Sequence, residues 1–324
     1  MDKINTLVFE GGAVLGLAYL GVIQELEPRI DFKNIKYLCG SSIGSMIAFV
    51  LGLNITADQF DPIVNKIRLH MIMRIPGIGL KLPWNIVFNY GLISNEIVRE
   101  IVVIILHAVY PNRDDITFKE LDKDVIITAT NLTDSYFWVA SKQTTPNMSV
   151  IDAVMYSCCG NLVLTPSPLK LRKQNKTAFI IDGGASVLNY PIGIFSENNV
   201  PSYIANMLDN DYSRDLYAQY GGSWKELEKI INNTHNNELL GFVFQSFNPY
   251  IDIPIKNTIT YLWNFFNITY QSLLQATDRN RYKTINIKVG SVSPVDLSYF
   301  LIPSRSKRLI NIGREAVINS EFFK

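Results

Sequence analysis

Apolar runs and glycine turns alternate through the first part of the chain. Asn5-Thr6-Leu7-Val8-Phe9-Glu10 has the pattern of a short strand and runs into Gly11-Gly12-Ala13-Val14-Leu15-Gly16. Leu17, Leu20, Ile23 and Leu26 then recur at helical spacing. Tyr37-Leu38-Cys39-Gly40 predicts a second strand, a turn at Ser41-Ser42-Ile43-Gly44, and an apolar helix through Leu51. The opening order is β-loop-α-β-turn-α, which favours an α/β fold with a mainly parallel sheet. The uncharged run 37–57 is long enough to span a bilayer. The small-residue turn inside it reads better as a buried strand joined to a buried helix.

From residue 58 to 112 the pattern is helical and unusually apolar. Within it, 72–84 carries Pro76, Gly77, Gly79 and Pro83 and few charges, which predicts a break. That stretch is either a buried connection or a mobile lid or lipid-facing patch. Residues 97–110 read as a buried helix ending before Pro111, which makes His107 a core histidine. Residues 124–130 and 136–140 read as strands, and 151–157 as a helix running into Cys158-Cys159-Gly160-Asn161. Residues 177–181 form another strand that ends in Asp182-Gly183-Gly184, with Asn189-Tyr190-Pro191 just beyond. After about residue 205 come a polar helix over 223–240 with Ser223 as its N-cap, and an aromatic-rich segment over 258–274 that reads as packing, with a second lipid-facing surface as the alternative. An alternating strand over 284–289 and a closing helix over 304–318 follow. No repeat or linker separates these pieces. The expectation is a single domain over 1–324, with a motif-bearing core of about 4–205 and a part 206–324 that completes it.

Composition narrows the class. The chain is 48% hydrophobic and 18% charged with a formal net charge of +1, which fits a globular protein and excludes a nucleic-acid binder with a basic excess. Its three cysteines, Cys39, Cys158 and Cys159, show no metal-ligand spacing and make a poor disulfide framework, so a reducing compartment is expected. Met1 leads directly into strand and glycine loop. A signal peptide and a transmembrane helix are therefore not expected, and membrane contact should be peripheral; a metal and a cofactor are not expected either.

The chemistry centres on Gly40-Ser41-Ser42-Ile43-Gly44, a Gly-x-Ser-x-Gly turn between strand and helix. Such a turn lifts a serine hydroxyl out of the sheet, with Gly40 and Gly44 allowing close backbone approach. The helix beginning after Ser42 turns its unpaired N–H groups and positive end toward a developing oxyanion. The Gly11-Gly12 loop lacks the Gly-x-Gly-x-x-Gly and Gly-Lys-Ser/Thr patterns of nucleotide sites, and an oxyanion hole beside Ser42 explains it better. None of the three histidines, His70, His107 and His235, accompanies a strand end or glycine turn. Asp182 is the better general base, because a partly buried carboxylate can take the serine proton directly.

The stretches Phe9–Val22, Gly40–Gly44, Asp182–Gly184, Asn189-x-Pro191 and 157–166 occur in the order of the patatin-like phospholipases. The chain resembles that family over at least residues 4–195, and more faintly at 285–289, Asp296 and 310–314. The resemblance implies a three-layer α/β/α fold and a metal-free acyl hydrolase, phospholipase A in type, acting on lipid esters at a membrane surface. By position it implies Ser42 as nucleophile and Asp182 as base. Backbone N–H groups of Gly11, Gly12 and Ala13 would form the oxyanion hole, with Gly40, Ile43, Gly44, Gly183 and Gly184 in support. The family loop is Gly-Gly-Gly-x-Lys/Arg-Gly, whereas Ala13 and Leu15 stand here at the third glycine and the basic position, and Asn161 replaces a common proline. Leu15 removes a positive charge, which favours the alternative of a catalytically weak lipid-binding or storage protein.

Overall fold

The structure is a computed structural model. It describes residues 4–88, 93–160, 164–173, 175–185, 189–195, 206, 208–235, 238–246, 283–294 and 296–324, with the side chains of helix 57–88 described to residue 74. The aromatic segment 258–274 and Asn161 lie outside the described residues.

Among the described residues an eight-stranded sheet organises the chain, in the order β5-β6-β3-β2-β1-β7-β8 with β4 also on β3. Its strands are β1 (Thr6–Phe9), β2 (Tyr37–Ser41), β3 (Asp124–Asn131), β4 (Tyr136–Ala140), β5 (Ser167–Leu171), β6 (Lys176–Asp182), β7 (Leu239–Ser246) and β8 (Thr284–Gly290). The run β3-β2-β1-β7-β8 is parallel, and β4, β5 and β6 add antiparallel pairings at one side. The mainly parallel sheet predicted from the β-loop-α order is present.

The two-residue period of the strands sorts their side chains into two cores. Leu7, Phe9, Leu38, Val125 and Ile127 join one apolar cluster, which takes in α1 (Leu17–Leu26), α2 (Ile43–Gly52), α4 (Glu96–His107) and α5 (Val150–Ser157). Val8, Cys39, Ile126 and Val243 join the other, under 191–195 and α7 (Trp224–Asn232), while α6 (Asp211–Gln219) puts Tyr212 and Leu216 into the first cluster and Tyr217 into the second. Helices thus cover both faces of the sheet, giving three layers. Among the described residues the other α-helices are α3 (Ala57–Phe88), a four-residue α8 (Ser298–Leu301) and α9 (Pro303–Ile318).

Helix α9 packs on α1 nearly backbone to backbone. A β-carbon on Gly21 would lie 1.8 Å from the Ile310 carbonyl oxygen, and one on Gly313 would lie 1.9 Å from that of Ala18. The C-terminal part is built into the sheet, because β7 pairs with β1 along Thr6–Phe9.

Four local expectations are corrected. Helix α3 runs unbroken through Pro76 and Pro83, so the predicted break at 72–84 is absent. Helix α4 is one-sided rather than buried, with Val98, Val102, Ile105 and Leu106 inward. His107 is not in the core: its side chain is 39% exposed and its Nε2 lies 2.9 Å from Asp114. The polar helix stops at Asn232 and Leu239 already belongs to β7, an apolar strand between β1 and β8.

Candidate active site

Three chain turns meet where β1, β2 and β6 end. Ser41 at the end of β2 is in register with Thr128 of β3, which continues to Asn131. Strand β6 folds back along that overhang and stops with Asp182 paired to Ala129. This register brings the acid level with the residue after Ser41.

That residue, Ser42, has φ 52° and ψ −127° and caps helix α2. For a residue with a β-carbon this backbone is strained by about 1–3 kcal/mol, so its surroundings must hold it. Ser42 N–H donates to the Ser157 hydroxyl at 2.8 Å, and the Ser45 hydroxyl donates to Ser42 O at 2.6 Å. The turn also needs glycine on both sides. A β-carbon on Gly40 would sit 2.2 Å from the Gly44 carbonyl, and one on Gly44 would sit 2.3 Å from Phe9 O. Ser157, 115 residues from Ser42, was not singled out as a support in the sequence, and only its place in the stretch 157–166 hinted at it.

Ser42 Oγ donates to Asp182 Oδ2 at 2.8 Å. The other carboxylate oxygen accepts Gly184 N–H at 2.5 Å. Burial around the carboxylate pushes the Asp182 pKa up to about 6, against the Gly184 and Ser42 hydrogen bonds that lower it. The whole residue keeps partial solvent contact. Gly183 lies against the neighbouring strands, since a β-carbon there would meet Ser41 Oγ at 2.5 Å. The Cys158 thiol is nearby, 3.9 Å from Ser45 Oγ. Burial first, and the Asp182 charge second, raise its pKa well above the ordinary value, so it stays a neutral thiol. His70 pairs with Glu100 at 2.7 Å, His107 with Asp114, and His235 is exposed.

The glycine loop lies directly against Ser42. A β-carbon on Gly11 would be 3.0 Å from Ser42 Cβ and 2.4 Å from Asn189 Oδ1. Gly11 N–H is committed to Asn189 O at 3.0 Å, and Val14 N–H to Pro294 O at 3.1 Å. Between them, Gly12 and Ala13 make no backbone N–H hydrogen bond among the described residues. Ala13 takes φ 47° and is exposed. Ile43 is the first residue of α2, beside Ser42. Leu15 is 4% exposed and packs in the core, so position 15 does not face solvent at the site. Among the described residues, no group of three or more His, Cys, Asp or Glu is placed to hold a metal ion.

Ser42 and Asp182 thus meet at one edge of a sheet that carries helices on both faces. A family model described as patatin-like phospholipase matches residues 7–196. The chain belongs to the patatin-like phospholipase family. It is 27% identical over 214 residues to an uncharacterized protein of Acanthamoeba polyphaga mimivirus, covering 65% of this chain and 68% of that one. It is also 27% identical over 194 residues to a probable lipid hydrolase of Invertebrate iridescent virus 6, covering 59% of this chain and 62% of that one. Among solved structures, VipD from Legionella pneumophila matches with TM-score 0.49 and 17% identity, over 98% of this chain and 66% of VipD. The type III effector ExoU matches with TM-score 0.46 and 14% identity, over 97% of this chain and 52% of ExoU. The chain therefore spans about two thirds or less of the length of these proteins.

Proposed function

We propose that this chain is a lipid acyl hydrolase of phospholipase A type, working through a Ser42–Asp182 dyad and an acyl-enzyme. The observation that carries this reading is the 2.8 Å hydrogen bond from Ser42 Oγ to Asp182 Oδ2 on a strained strand-to-helix turn. Family membership supports the lipid ester as substrate class. In the first step Ser42 Oγ attacks the acyl carbonyl carbon and its proton passes to Asp182 Oδ2. The carbonyl oxygen becomes an oxyanion, for which the free N–H groups of Gly12 and Ala13, with Ile43 at the helix N-terminus, are the donors. Gly11, its own N–H engaged, shapes the loop. Collapse breaks the ester bond, and the lysolipid alkoxide leaves with the proton from Asp182. Asp182 then takes a proton from water as the hydroxide attacks the acyl carbon, and collapse breaks the acyl–Ser42 Oγ bond, Oγ recovering that proton from Asp182 as the fatty acid departs. A base with a pKa near 6 is ionised at neutral pH and still accepts a proton readily.

Contact with a membrane surface belongs to the same reading. On α3, Leu69, Ile72 and Met73 share one helical face and are 62%, 46% and 72% exposed, with Lys66 exposed beside them and Arg74 exposed but paired with Glu100. An apolar face edged by cations suits a peripheral position on anionic lipid. We also read the chain as one domain, because β7 and β8 extend the sheet that carries Ser42.

The test is fatty-acid release from mixed phosphatidylcholine and phosphatidylglycerol vesicles by wild type, Ser42→Ala and Asp182→Ala. The expected result is release by wild type and losses of at least a thousandfold in both variants. A wild type that folds and binds vesicles without releasing fatty acid favours the lipid-binding alternative.

A further inference from the structure

Glu10 carries a carboxylate that the reaction above does not use. It follows directly on β1, opens the glycine loop, and is 1% exposed. Its Oε2 accepts Phe244 N–H at 2.7 Å, and its Oε1 accepts the Asn189 side-chain amide at a longer 3.4 Å. Glu10 O meanwhile accepts the Tyr19 hydroxyl at 2.8 Å. A carboxylate inside a protein is costly unless donors surround it, so its retention at a loop hinge calls for a reason.

Asn189 and Phe244, which hold its side chain, supply one. Asn189 is the residue whose carbonyl holds Gly11 N–H. Its Oδ1 is wedged between Gly11 and Gly184: β-carbons built on those glycines would lie 2.4 and 2.5 Å from it. Asn189 therefore touches both the glycine loop and the turn that carries Asp182. Phe244 closes the other side. Its ring packs on Gly12, where an added β-carbon would meet it at 2.6 Å, and against Tyr19 at a centroid distance of 4.9 Å. Glu10 bridges these two neighbours, fixing Phe244 through its backbone and Asn189 through its amide. Phe244 lies beyond the segment 7–196 that the family model matches.

We propose that Glu10 is the positioning residue of the oxyanion loop. It holds the loop at its first residue, Asn189 holds Gly11, and Pro294 O holds Val14. The two residues between these anchors, Gly12 and Ala13, keep their N–H groups unengaged on the loop whose Gly11 lies against Ser42. Glu10 does not exchange protons with substrate. Its effect is to keep the Gly12 and Ala13 donors fixed before charge develops, which is where preorganised donors lower a barrier. This inference rests on the dyad reading above.

The experiment uses the full chain with Glu10→Gln, Glu10→Ala, Asn189→Ala and the Glu10→Gln/Asn189→Ala double variant. Each is assayed for fatty-acid release from the same vesicles and for the rate of Ser42 labelling by a fluorophosphonate, with labelled protein giving the count of intact sites. Glutamine keeps one acceptor and sets an amide against the Asn189 amide. Glu10→Gln should lower kcat per intact site about 10-fold and Glu10→Ala about 100-fold, with KM within twofold. Labelling should slow in parallel, while the acid limb of the pH profile stays near pH 6. The Gln and Asn189→Ala losses should combine less than multiplicatively, because the two act through one contact. Unchanged kcat per intact site in both Glu10 variants overturns the proposal. So does a Glu10→Gln protein that fails to fold, which makes Glu10 a core strut only. If wild type releases no fatty acid, the lipase reading fails instead, and the labelling rates alone decide the role of Glu10.

Discussion

Asp182 should make the protein less stable at the pH where it makes it active. The structure raises its pKa from the usual 3.8 to about 6 because burial disfavours the charge. A lift of that size corresponds to about 3 kcal/mol at 1.36 kcal/mol per pH unit, and the partial solvent contact of the residue trims this to about 2 kcal/mol. The sign follows from proton linkage. Below pH 3.8 the acid is neutral in both folded and unfolded chains and carries no penalty. As pH rises from 3.8 through about 6 the unfolded chain ionises more readily, and stability is lost until the penalty is complete. Asp182→Asn removes the charge, keeps the shape, and still offers an oxygen to Gly184 N–H. It should abolish fatty-acid release and raise stability by about 2 kcal/mol at pH 8, a Tm gain of about 3 °C, with almost no gain at pH 4. Thermal unfolding of both proteins at the two pH values, followed by circular dichroism, reads this directly. Equal stability at pH 8, or an equal gain at both pH values, would refute a buried ionised acid at this position.

Three further outcomes are expected. Ser157→Ala strips the acceptor, on a fully buried side chain, from Ser42 N–H in a part-buried contact and should cost about 1–3 kcal/mol in urea unfolding, with Ser42 labelling slowed about tenfold. An unchanged labelling rate would mean that the turn holds itself. Gly313→Ala drives a methyl into Ala18 O and should lower stability by about 3 kcal/mol, measured by the urea midpoint. Leu15→Lys places a cation at a core position that is 4% exposed and should destabilise by about 3 kcal/mol or more without raising activity. A stable and faster Leu15→Lys enzyme would show that this side chain reaches the site.

The parts of the site that were legible in sequence are those written locally. A short apolar run, a glycine turn and a helical period identify Ser42, and a strand ending in acid-glycine-glycine identifies Asp182. What links them is long range. The Ser42–Asp182 hydrogen bond joins residues 140 apart, the Ser157 support spans 115, and the Glu10–Phe244 bond spans 234. Contacts at such separations depend on strand register, which no turn or period encodes. The same cause explains Gly11: as a glycine beside Ser42 it reads as an oxyanion donor, yet Asn189 O takes its N–H. Strand β7 was missed because Leu239 and Leu240 follow a polar helix closely and their partners on β1 begin at Thr6. Strand β5 alternates buried and exposed over five residues, but Pro168 and Lys170 mask the pattern.

The most direct test of the central claim is the pH dependence of fatty-acid release under single-turnover conditions, in wild type and in Asp182→Asn. The account predicts a rate that rises to half its maximum near pH 6 and stays high above it in wild type, and no such rise in the variant. Release by Asp182→Asn at the wild-type rate with the same midpoint would contradict it, because Asp182 would then not be the base that activates Ser42.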